Sequence, residues 1–323
     1  IASADSLAGR MLSIRDEAFA GLGDTNLADM VVQGSSPTFS ITSSEDFTPA
    51  EDDRIARRVE GTIEVPCYMA IPGCAPGGQY LLDPETGKPV AVPGNTASVS
   101  FICNIPRSAF ATAGTSRPSL YGHGLLGSAD EVDAGNVKAM ANEHNMIMCA
   151  TDWAGFSTKD AGTIALILQD LNNFPKLADG SQQGFLNFLF LGRALIHPAG
   201  LGSDPAFQNG SGESLIDTRR LFYDGNSQGG SRRLRRVRDG RDLRARHAVR
   251  PLRQLSGRAP AAARPGAHPD ALGPGRGERI RAAHDRRPAS QTPAARGPAA
   301  RRLRRPPGRE PDGGGRGEDD RRG

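Results

Sequence analysis

The chain reads as an α/β fold: a mainly parallel sheet with flanking helices. Three observations predict it. Short apolar strands alternate with segments of helical period through residues 119–230, a pattern that calls for crossover connections between parallel strands. The segment "MIMCATDW" at 146–153 is apolar until its last polar residues, as in a strand buried on both faces. Two glycine-rich turns, at 122–127 and 225–229, each follow a strand, and sites in open α/β sheets form beyond the C-terminal ends of strands.

In chain order, residues 1–56 are polar and rich in Ser, Asp and Gly. They are expected to form an irregular arm with one helix around 15–22, ahead of the main domain at 57–230. In "RVEGTIEVPC", Val59, Ile63, Val65 and Cys67 alternate with Glu60, Thr62 and Glu64, and in "SVSFICNI" Val99, Phe101, Cys103 and Ile105 do the same. Both are strands with one buried face. Cys67, Cys74, Cys103 and Cys149 allow three pairings. Free buried thiols, a Cys67–Cys103 bridge and a Cys67–Cys74 bridge all remain open. A bridge would imply an oxidising, secreted or periplasmic setting.

"PSLY" is the next strand and "GHGLLG" a tight loop. Ser128 and Glu131 have capping-box spacing for a helix start. Ala134, Val137, Met140 and Ala141 give that helix its apolar face. After the strand at 146–151, "DAGTIALILQDL" and "QQGFLNFLFLGRALI" predict two helices, the second apolar almost all round and therefore buried. Helices in 158–195 are expected to include a lid over an acyl pocket. "RRLFYDG" supplies the last strand.

The turn Gly225-Asn226-Ser227-Gln228-Gly229 fits G-x-S-x-G after a strand. That pattern lifts a serine hydroxyl above a sheet on a sharply reversed backbone, where larger residues flanking the serine would clash. The earlier turn, Gly122-His123-Gly124-Leu125-Leu126-Gly127, has a His-Gly-x-x-Gly core that resembles the oxyanion loop of esterases and lipases. Strand, loop, helix, strand, helices, strand and serine turn, in that order over 57–230, resemble the first half of the α/β-hydrolase superfamily. The resemblance implies that Ser227 is a nucleophile and that the amides of Leu125 and Gln228 form the oxyanion hole. It makes His123, Gly124 and Gly127 loop-forming residues, with His123 structural rather than the catalytic base. It further implies hydrolysis of a small-molecule or lipid-like carboxylic ester without a cofactor. No metal-ligand spacing is present. The same glycines also satisfy G-x-G-x-x-G, with Asp152 at the end of the following strand, which keeps a nucleotide-binding oxidoreductase as the alternative.

In α/β-hydrolases the acid and then the histidine follow the serine. Here the chemistry changes abruptly after Gly230. Residues 231–323 hold 26 Arg, no Lys and 10 Asp plus Glu, a net charge of +16. Residues 1–230 carry 14 basic and 26 acidic side chains, a net of −12. The tail has no Phe, Tyr, Trp, Met, Cys or Asn, so disorder is expected of it. Its His247, His268 and His284, and its Asp239, Asp242, Asp270 and Asp285, are flanked by Pro, Gly and Arg rather than by strands. His144 and His197 precede the serine, against the family order. The triad's acid and base are therefore expected to be missing and the chain inactive. Arg, Pro, Gly and Ala abundance points to a shifted reading frame of a GC-rich gene after codon 230. The alternative for the tail is binding of a polyanion by charge; without aromatic residues for stacking, no specific nucleic acid is implied. No apolar run is long enough to cross a membrane. The chain begins at Ile1 without a signal-peptide pattern and is expected to be a processed or partial product. Oligomeric state is not legible.

Overall fold

The computed structural model describes residues 4–230. The expectations for 231–323 lie outside the described residues. Six strands form one sheet: β1 (Phe39–Asp46), β2 (Ile55–Pro66), β3 (Thr96–Pro106), β4 (Arg117–Gly122), β5 (Met146–Thr151) and β6 (Phe222–Gly225), in the spatial order β1-β2-β3-β5-β4-β6. β1 to β2, β2 to β3 and β3 to β5 pair antiparallel, whereas β4 pairs parallel with both β5 and β6. β2, β4, β5 and β6 thus run one way and β1 and β3 the other. The fold is α/β, with its parallel character concentrated in β5-β4-β6 and an antiparallel wing beside it.

Helices cover both faces, which is why β5 is apolar throughout. Ile147 and Cys149 enter the larger core with Phe188, Leu191 and Leu195 of α4 (Phe174–Ile196). Met146, Met148 and Ala150 enter a second core with Val137 and Ala141 of α2 (Gly135–Glu143). In β2, Val59, Ile63 and Val65 alternate into the larger core, following the period-2 pattern of the sequence.

The expected irregular arm contains two regular elements. Helix α1 (Ala4–Gly21) buries Ile14, Ala18 and Phe19, and Phe19 meets Phe190 of α4 edge-on at 5.4 Å. Just beyond α1, Asp24 forms a buried ion pair with Arg193 of α4, whose guanidinium lies over the Phe19 ring. The segment reads as polar because α1 buries only a narrow stripe and because β1 is an edge strand with most of its residues exposed. Edge strands are commonly polar, which discourages pairing with other chains.

One further expectation is corrected. The Ser128/Glu131 capping box does not form: Ser128 makes no side-chain cap, and residues 129–133 are a 3-10 turn ahead of α2. α3 (Ala161–Gln169) is not packed inside like α4. Its Ile167 is buried, but Leu166 and Leu168 are 64% and 72% exposed. All four cysteines are bridged, as Cys67–Cys74 and Cys103–Cys149. Cys67–Cys74 is one of the pairings left open by the sequence; free thiols and Cys67–Cys103 are not found. Cys103 and Cys149 face each other across the β3–β5 ladder, a neighbour relation that strand order decides and sequence distance hides.

Candidate active site

The two glycine-rich turns leave adjacent strands at the same end of the sheet. β4 lies between β5 and β6, with Gly122 in register with Gly225. The chain leaves β4 toward β5 through α2 on one face, then returns to β6 through α4 on the other. The C-terminal end of β4 is therefore a topological switch point, where open sheets leave a crevice.

Ser227 has φ = +49° and an exposed side chain. A non-glycine residue in the left-handed region costs about 1–3 kcal/mol, so its surroundings must hold it there. The Asn226 N–H donates to the Gly122 carbonyl at 3.0 Å and the Gly229 N–H to the Asn226 carbonyl at 2.8 Å. The Tyr223 hydroxyl donates to the Gly229 carbonyl at 2.7 Å. Gly229 passes so close to β4 that a Cβ on it would collide with the Gly122 carbonyl. Residues 228–230 are helical, and the Gln228 amide, in the first turn, has no intrahelical acceptor. Beneath the turns Trp153 stacks on Phe188 at 3.8 Å, and Phe188 meets Tyr223 edge-on.

His123 is fully buried and both ring nitrogens are engaged. The Trp153 N–H donates to Nε2 at 2.7 Å, so the proton sits on Nδ1, which donates to the Gly124 carbonyl at 2.7 Å. Gly124 carbonyl also accepts from the Gly127 N–H at 3.1 Å. Across a trans peptide the N–H opposes the C=O. With the Gly124 carbonyl held inward, the Leu125 N–H points away from His123; it meets no acceptor among the described residues. Leu126 also adopts a left-handed backbone, φ = +55°. Its N–H donates to the Phe156 carbonyl, and the Thr158 hydroxyl donates to the Leu126 carbonyl. Leu125 is 61% exposed.

The loops touch. A Cβ on Gly124 would lie 3.8 Å from the Ser227 Cβ and 3.4 Å from the Asn226 Nδ2. The Glu131 carboxylate accepts the Gly124 N–H with both oxygens at 3.1 Å and an Asn226 side-chain N–H at 3.3 Å. Burial first, then the carboxylates of Glu131 and Asp224, push the nearby Tyr121 phenol up to about 12. Glu131 and Asp224 thus bring two carboxylates near Tyr121, and Glu131 also meets the two turns. Asp152 accepts from the Ala129 N–H and pairs with Lys159.

His123, Gly124, Leu125 and Gly127 share one loop, beside Ser227 and Gln228. His144 and His197 are not brought to them. His144 ends α2 beside Asn145, whose carbonyl bonds the Arg117 amide at the opposite end of β4. The first half of α4 packs against the segment after β5, with Gly180 on Gly155 and Gly184 on Ala154. The helix reaches Leu221, before β6, at Gly192, so His197 beyond it also lies at the far end. Glu131 and Asn226 were not singled out as site residues by the sequence. Glu131 reads as a helix cap, and Asn226 stands at a variable position of the serine motif.

No family profile matches the chain, and no curated protein matches it. Among solved structures it is similar to acetyl xylan esterase 1 from Thermoanaerobacterium sp. JW/SL YS485, at 14% identity and TM-score 0.39, covering 72% of this chain and 54% of that one. It is similar to an acetyl xylan esterase from Paenibacillus sp. R4, at 14% identity and TM-score 0.33, covering 74% and 57%. It is also similar to an S-formylglutathione hydrolase (FrmB) from Staphylococcus aureus, at 14% identity and TM-score 0.22, covering 56% and 55%. The chain spans just over half the length of these structures.

Proposed function

We propose that the chain carries the nucleophile and oxyanion elements of a serine ester hydrolase. Ser227 Oγ attacks the ester carbonyl and gives its proton to a base. The carbonyl oxygen becomes an oxyanion held by the amides of Leu125 and Gln228. Collapse expels the alcohol, which takes up a proton, and water then releases the acid from the acyl-serine. The observation that carries this reading is the exposed Ser227, left-handed at the switch point, beside a loop whose Leu125 amide is turned outward. Each oxyanion donor contributes roughly 3–4 kcal/mol in measured enzymes.

The acid and base are assigned to no described residue. His123 has both nitrogens committed, and the tail histidines and aspartates lie outside the described residues. Without that pair, turnover is expected to fall about 10⁴-fold below an ordinary esterase. A fluorophosphonate probe is expected to label the full chain slowly at Ser227, and Ser227→Ala to abolish labelling. Native-like hydrolysis of p-nitrophenyl acetate, dependent on Ser227, would show that the base is present after all. Sequencing around codon 230 tests the shifted frame, and a frame-corrected gene is expected to restore turnover.

The nucleotide alternative asks the glycine loop to receive a pyrophosphate on its amides. Glu131 already accepts the Gly124 amide, which weighs against a second anion there. Saturable binding of a nicotinamide dinucleotide would reverse that judgement. The substrate's acyl and alcohol parts are left unassigned. The two disulfides fit an oxidising compartment.

A further inference from the structure

We infer that Glu131 is a positioning residue for the proposed ester hydrolysis, its carboxylate tying the loop after β4 to the serine turn after β6. The inference rests on the assignment of Ser227 as nucleophile. Gly124 is the pivot: as a glycine it has the freest backbone available, yet it precedes the Leu125 amide that must meet the substrate oxygen. Its two flanking peptides are held separately. The peptide after it is fixed through its carbonyl by His123 and by the Gly127 amide. The peptide before it is fixed through its N–H by Glu131. Oε2 of the same carboxylate also accepts from the side chain of Asn226, the residue preceding the nucleophile.

The site is shaped for this carboxylate. A Cβ on Gly127 would fall 3.2 Å from Cδ of Glu131 and overlap its Oε1, so any larger residue there would expel the carboxylate from the loop. The Glu131 side chain makes no helix-cap bond; only its backbone carbonyl does, accepting from the Ala134 N–H. The hydrogen bonds of its carboxylate go to the two turns alone among the described residues, so its removal should disturb their spacing more than the fold. Glu131 also takes the Gly124 amide out of use, which leaves Leu125 as the loop's donor to substrate.

The polarity of the bridge supplies the test. In Glu131→Gln the amide oxygen keeps the Gly124 N–H, and Asn226 can turn its amide over to accept from the new NH2, so the bridge survives. In Asn226→Asp two carboxylates face each other. In the double variant, the NH2 introduced at position 131 donates to the carboxylate introduced at position 226, and the bridge is rebuilt with reversed polarity. The readouts are the second-order rate of fluorophosphonate labelling of Ser227 in the full chain and hydrogen exchange of the Gly124 amide. Asn226→Asp is expected to label about tenfold more slowly, and Glu131→Gln and the double variant to stay within about threefold of native. Gly124 amide protection is expected to be lost in Glu131→Ala. An Asn226→Asp variant that labels at the native rate, or a double variant no faster than it, would overturn the inference. A native chain that takes no label while its Gly124 amide stays protected would refute Ser227 as nucleophile, and the positioning role with it. An unprotected native Gly124 amide would refute the brace alone.

Discussion

Leu126 and Ser227 both hold a left-handed backbone without being glycine, one in each of the two turns that follow β4 and β6. Strain of that kind persists only where neighbours over-determine it, and Gly229 is one such neighbour. Gly229→Ala must push β4 away from the serine turn. It is expected to cost about 1–3 kcal/mol, seen as a lower urea midpoint, and to suppress Ser227 labelling. A second residue-scale prediction concerns Asp179, whose carboxyl is raised above its ordinary 3.8 by burial, against the smaller opposing effects of the Tyr80 N–H and Arg10. The folded state then binds the proton more tightly than the unfolded chain. Its stabilising contribution is complete below the unfolded value and is lost as pH rises through the raised folded one. Asp179→Asn is therefore expected to gain in melting temperature relative to native as pH increases from about 4 to 7. At this scale the tight turns at Ser227 and at the glycine loop were legible as backbone geometry, because each is a local pattern with a local steric cause. Glu131 was not, because what it accepts is decided by where the loop folds back, and its spacing from Ser128 fits a different local motif.

Among the elements, those with a strong period were readable and those with sparse apolar residues were not. β2, β3 and β5 announced themselves by alternation or continuous apolarity, and α4 by the density of its Leu and Phe. α1 was missed in extent because its contribution is a few residues facing α4. The Asp24–Arg193 pair that anchors the chain beyond α1 joins residues far apart in sequence. Asp24→Ala would leave the Arg193 guanidinium buried without its counter-charge, at a cost of about 3–5 kcal/mol, measurable by denaturant unfolding. The exposure of α3 was not legible, because composition alone does not say which side of an apolar helix is covered. Its exposed Leu166 and Leu168, with Leu171 and Phe174 beyond it, form an apolar surface.

Over the whole molecule, charge divides sharply: −12 through residue 230 and +16 after it. The full chain is expected to bind heparin and to elute at a salt concentration that falls when residues 231–323 are removed, as counter-ion release requires. The described strands and helices all lie in the first of these two segments. Strand order was illegible, since it depends on which edges meet, and with it the Cys103–Cys149 bridge. That bridge has a mechanical meaning. It crosses the seam between the antiparallel wing and the parallel strands that carry the serine. A pull on the wing would pass through sulfur to β5 instead of unzipping the short ladder from Phe101 to Asn104. Under load in a single-molecule trap, the oxidised chain should resist as one body, and adding a reductant that reaches the buried bridge should split the rupture into two steps.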